Sequence, residues 1–152
     1  MTDPEDDPNV GFTTTPWDDD GIAKLEATGS NARSALAAGL RAVLTLAAAP
    51  SLAPDSAGRS APIRGEGDDT ASLFADMAED LLGQIEFFGS GLHDVSVDGV
   101  LRREGGGYVG WGYASGMLDY APADDVPRLF GTPTANEDDI RGVILRATLQ
   151  RH

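Results

Sequence analysis

The sequence predicts an α+β protein in which two helices pack on a mainly antiparallel β-sheet. Three observations carry this. The run Ile22-Ala23-Lys24-Leu25-Glu26-Ala27-Thr28 alternates in polarity, as a half-buried strand does, with Ala23, Leu25 and Ala27 on one face. Two longer stretches repeat apolar residues at helical spacing. From Leu92 onward come short alternating segments divided by Gly, Pro and Asp, with no third helical pattern. A chain of 152 residues suits one domain with its own core.

Residues 1–16 hold Pro4, Pro8 and Pro16 among acidic residues and read as a disordered acidic tail, with Val10 and Phe12 as a conceivable short edge strand. The domain proper is expected over residues 17–152. Trp17-Asp18-Asp19-Asp20-Gly21 leads into the first strand, and Gly29-Ser30 closes it. Ser30 is the expected N-cap of a helix from Asn31 to Ala48, whose stripe includes Ala35, Leu36, Gly39, Leu40, Val43 and Leu44. Ala35 and Gly39 allow close approach of a neighbour. Pro50 and Pro54 end that helix.

A Pro/Ser/Gly loop over residues 49–60 precedes a brief strand, Ala61 to Glu66. Asp68 and Asp69 suit the start of the second helix, Thr70 to Phe88, by capping and by the dipole. Its buried stripe is Leu73, Phe74, Met77, Leu81, Ile85 and Phe88. Asp76, Glu79, Asp80 and Glu86 are expected on a solvated face, with Gly89 and Gly91 as candidate C-caps. Three strands follow: Leu92–Val97, Val100–Arg103 and Tyr108–Ala114. Asp98-Gly99 is expected to turn between the first two, and Gly105-Gly106-Gly107 between the second and third. Val109, Trp111 and Tyr113 share a strand face, read as core packing rather than as a base-stacking surface, since no basic groove accompanies them. Residues 115–139 read as loop, and Ile140 to Leu149 as the last strand.

Composition narrows function by exclusion. The formal charge of -14 argues against charge-driven binding to a phosphate backbone. Without cysteine there are no disulfides, thiolate metal sites or thiol nucleophiles. With His93 and His152 the only histidines, any metal is expected on oxygen ligands, which favours Ca²⁺, Mg²⁺ or Mn²⁺. No apolar run reaches the ~20 residues of a membrane span. The acidic N-terminus lacks a signal-peptide pattern, so a cytoplasmic location is expected. No nucleophile elbow, phosphate loop or paired base is found, so a metal-dependent hydrolase is disfavoured. The most concentrated polar constellation beside regular structure is Asp18-Asp19-Asp20, either a solvated acidic turn or a place where carboxylates converge on a cation.

With its elements in order, the chain resembles the archease family over about residues 17–149. Asp18-Asp19-Asp20-Gly21-Ile22 stands where the family strand runs from an Asp into Gly and Ile. Gly29-Ser30-Asn31-Ala32-Arg33-Ser34-Ala35-Leu36 is similar to its first helix entry. Asp68-Asp69 through Glu79-Asp80-Leu81-Leu82 resembles its second helix, Tyr108 to Gly116 its glycine-containing strand, and Ile140-Arg141-Gly142-Val143 its Ile-Lys-Ala-Val strand. Archeases assist the RtcB-type, GTP-dependent RNA ligase of tRNA splicing and RNA repair.

The resemblance therefore implies a protein activator that catalyses nothing alone, with that ligase as partner and no direct contact with nucleic acid or membrane. It implies a divalent cation held by Asp20 and Asp18, which alternate positions of an extended chain place on one side. Asp19, on the other side, and Arg141 are then partner-contact residues. Departures from the family pattern motivate an alternative. The His before the first Asp is missing, Arg141 replaces Lys, Ile144-Leu145-Arg146 replaces Thr-Tyr-His, and the chain stops at His152, short of the family's terminal Asp. The alternative is an archease-fold interaction module that binds no metal.

Overall fold

The computed structural model describes residues 10–47, 59–88, 92–116 and 126–151, without the side chains of Arg59, Phe88 and His93. Residues 1–9, most of the loop expected over 49–60, the C-cap candidates Gly89 and Gly91, segment 117–125 and His152 lie outside the described residues.

The chain runs β1 (Gly11–Thr14), β2 (Ile22–Gly29), α1 (Ala32–Ala47), β3 (Arg59–Gly67), α2 (Thr70–Phe88), β4 (Leu92–Arg102), β5 (Tyr108–Gly116), β6 (Arg128–Leu129), β7 (Thr134–Asp138) and β8 (Gly142–Gln150). All strand pairs are antiparallel. One sheet has the order β1-β2-β8-β6, with β7 also on β8; the other is β3-β5-β4. Each helix touches both sheets. One apolar cluster results, joining Leu25, Leu145 and Leu149 of the first sheet to Ile63, Val95 and Val97 of the second through Leu36, Leu40, Phe74 and Met77 of the helices.

Local chemistry explains the element ends. Asn31, not Ser30, caps α1: its Oδ1 accepts from the Ser34 backbone N–H at 2.9 Å, and Ser34 Oγ bonds back to Asn31. The cap sits one residue later than expected because the buried Ser34 completes a reciprocal box with Asn31. Asp69 caps α2 as expected, accepting from Ser72 N–H at 2.8 Å. That bond holds the Asp69 carboxyl below the usual carboxylate range. Gly39 is the close approach between the helices; a Cβ there would lie 2.7 Å from the Phe74 ring.

Three expectations are corrected and one is met in part. Within the stretch read as a tail, the short edge strand expected around Val10 and Phe12 forms as β1, where Phe12 pairs with Ala27. Asp98-Gly99 does not turn the chain: β4 is continuous, and the register shift between Val97 and Gly99 is a bulge. The reversal comes at Gly105-Gly106-Gly107, all with positive φ. Trp111 and Tyr113 do not pack in the core; they are exposed, and the inward positions are taken by Gly110, Gly112 and Ala114. Finally, β6 and β7 lie within the expected loop.

The acidic face of α2 is more than solvated. Asp80 and Asp76 accept the β3 edge amides of Arg64 and Glu66, each at 2.8 Å, and Gln84 donates to the Pro62 carbonyl. α2 thereby occupies an edge that would otherwise be open to another strand.

Candidate functional site

Asp18 to Gly21 form the tip of the β1–β2 hairpin. Gly21 N–H donates to the Asp18 carbonyl at 3.0 Å, and Asp18 N–H to the Ile22 carbonyl at 2.9 Å. One Asp18 carboxylate oxygen accepts from the backbone N–H groups of Asp20 at 2.8 Å and Ile22 at 2.9 Å. This is an Asx turn, in which the side chain completes the backbone's hydrogen bonding. Gly21 has φ +75°, and a Cβ there would meet the Arg151 carbonyl at 2.6 Å. Both the reversal and the close strand therefore require glycine.

The alternation argument for Asp18 and Asp20 fails here, since it assumes an extended chain and these residues lie in a turn. Asp18, Asp19 and Asp20 are all exposed. What β8 brings alongside is a cation. Arg151 N–H donates to the Gly21 carbonyl at 2.9 Å, and its guanidinium carbon lies 4.9 Å from the centre of the Trp17 ring.

Arg141 is not beside this turn. The β2–β8 ladder runs from Ile22 opposite Gln150 to Gly29 opposite Val143, so Arg141 follows the far end of a ladder about 25 Å long. Its side chain folds back along the outer sheet face to Glu26. Glu26 accepts from Arg141 Nη2 at 2.5 Å on one oxygen and from Arg146 Nε at 2.9 Å on the other. The hydrogen bond from Arg141, opposed by partial burial and reinforced by Arg146, holds the Glu26 carboxyl below its ordinary value. Asp138 caps the β7–β8 turn, accepting from the Ile140 and Arg141 N–H groups at 2.7 and 2.9 Å, which fixes where Arg141 starts.

The cation expected at Asp18 and Asp20 can be tested against this donor set. A hard divalent ion needs several oxygens converging from more than one direction. Among the described residues no group of three Asp, Glu or His side chains converges anywhere. Asp18 already serves two amides, and the neighbour supplied by β8 is Arg151. No buried side-chain polar atom among the described residues lacks a partner and so asks for one. These residues do not fit a chelated divalent cation.

Glu26 and Arg151 were not singled out by sequence. The strand alternation marks Glu26 as outward-facing, but its two arginines appear only once the β2–β8 register is known. No helix among the described residues is long and apolar enough to cross a membrane.

Two helices joined to two antiparallel sheets through one core define the architectural class. A solved structure shares it: protein 1598 of Methanobacterium thermoautotrophicum, determined in solution, matches with a TM-score of 0.62 and 19% identity, over 92% of this chain and 98% of that one. The fold is thus archease-like, and at that identity the likeness speaks for fold alone. No protein-family model matches the chain, and comparison with curated proteins gives no match.

Proposed function

We propose that this chain is an archease-like accessory protein of an RtcB-type, GTP-dependent RNA ligase. It would raise the ligase's turnover without carrying out ligation itself. The observation that supports this reading most is the archease-like fold ending its first hairpin in a conformationally fixed acidic tip, Asp18 to Gly21. A ligase centre that handles phosphates and nucleotide must be basic, so a partner of charge -14 is steered toward it. In this reading Asp19 and Asp20 present free carboxylates to that centre, and Asp18 holds the tip in shape. No step is routed through a metal. A second reading, an interaction module of the same fold that does not activate a ligase, is favoured by Arg151 beside the tip.

Multiple-turnover RNA ligation by the cognate ligase separates the two. The accessory reading expects wild type to accelerate turnover by about tenfold or more, with Asp20→Ala losing most of that gain. Acceleration unaffected by Asp20→Ala removes the tip from the argument. No acceleration by wild type leaves the module reading.

A further inference from the structure

A concavity lies on the outer face of the β1-β2-β8 sheet. It is a groove of about 520 Å³, within the range of small-ligand sites. Its floor is β2 and β8, where Lys24 lies opposite Thr148 and Glu26 opposite Arg146. Thr13 and Thr15 form one wall and Thr132 and Thr134 the other. From this lining we propose that the groove binds a phosphate group carried by a small molecule. The inference is independent of the accessory role above.

Glu26 is the only carboxylate of the lining, and both its oxygens are engaged by Arg141 and Arg146. Arg146 uses Nε for that bond, which holds its guanidinium in place and leaves its two terminal nitrogens outside it. Glu26 is thus a positioning residue. Thr15 Oγ1 accepts from the Lys24 backbone N–H at 2.8 Å, so its own proton remains to be donated. Lys24, the single lysine of the chain, makes no ion pair among the described residues, although 25 carboxylates surround it in sequence. What the groove offers is an excess of donors and of positive charge, in a protein that is elsewhere strongly negative.

Such a lining asks for an anion with several acceptor oxygens. Donors come from the floor and from both walls, so they approach from three directions. That suits a tetrahedral oxyanion, whereas a planar carboxylate would leave one wall unused. The volume exceeds what phosphate alone fills and leaves room for the group that carries it.

The test is a titration of the full chain with sodium phosphate, adenosine 5′-monophosphate and adenosine, followed by backbone amide shifts. Phosphate and the nucleotide are expected to move the amides of Thr15, Lys24, Arg146 and Thr148 saturably, and adenosine to leave them unmoved. Lys24→Gln should weaken binding by about tenfold and Thr148→Val by a few-fold, with unchanged shifts elsewhere as evidence of folding. Nucleotide binding tighter than phosphate supports an organic phosphate as the ligand; equal affinity means that the site takes the free oxyanion and overturns the carried group. The proposal is overturned if neither phosphate compound shifts these amides at millimolar concentration. It is equally overturned if Lys24→Gln binds phosphate with the affinity of wild type, or if adenosine binds as well as its phosphate.

Discussion

At Asp18 two demands compete for one carboxylate. The turn takes one oxygen for the amides of Asp20 and Ile22, and a functional role would need the same group turned outward. Hydrogen bonds from backbone amides to a charged acceptor are among the stronger ones, even at the surface. Asp18→Ala should therefore cost about 1 kcal/mol of folding stability, read as a lower urea midpoint. Asp20→Ala, whose carboxylate completes no such turn, should stay within about 0.5 kcal/mol. If the two variants unfold at the same midpoint, the assignment of separate roles is wrong. Strand alternation ranks Asp18 and Asp20 together and sets Asp19 apart, and that ranking depends on whether Gly21 turns the chain, as it does, or merely precedes a strand. The same limit applies at Trp111 and Tyr113. Period two shows that they share a face, but which face is inward is decided by α2, which lies against Gly110.

Among elements, the relation of α2 to β3 is the most informative. A strand at a sheet edge exposes amides in register, and here two of them, from Arg64 and Glu66, end on Asp80 and Asp76. The spacing of these acids by four residues places them on one helix face, while the amides two residues apart point to one strand edge. Asp80→Ala should therefore accelerate hydrogen exchange at the Arg64 amide by about tenfold, with β5 amides unchanged. Uniform acceleration across the sheet would mean instead that the helix had lost its packing. Both helices are legible in sequence because their apolar stripes exceed four turns and β2 because it alternates without interruption. β6 and β7 are too short to show a period. The bulge at Val97 and Gly99 is hidden because Asp-Gly is also the commonest hairpin signal. The phosphate groove was equally illegible: its floor joins residues more than a hundred positions apart, and only the β2–β8 register pairs Lys24 with Thr148.

For the molecule as a whole, the governing quantity is charge. Five ion pairs occur among the described residues, all on exposed or half-exposed side chains, and each is worth little. Against them stands a net -14 over the full chain. At 0.01 M salt the screening length is about 30 Å, so like charges repel over distances comparable to a domain; at 0.15 M it is about 8 Å, and only neighbours interact. Contact pairs such as Glu26–Arg146 at 2.9 Å lie well inside either length and lose less. Sodium chloride should therefore stabilise the fold. Raising it from 0.01 to 0.15 M at pH 7 is expected to lift Tm by a few degrees, the shift that about 1 kcal/mol makes in a domain of this size. The buffer must not be phosphate, because an oxyanion held at Lys24 and Arg146 would raise Tm by mass action and imitate screening. A Tm that falls steadily with sodium chloride would mean that the ion pairs outweigh the excess charge. The acidic surface would then be held together by local pairing, and its long-range field would be too weak to steer a basic partner.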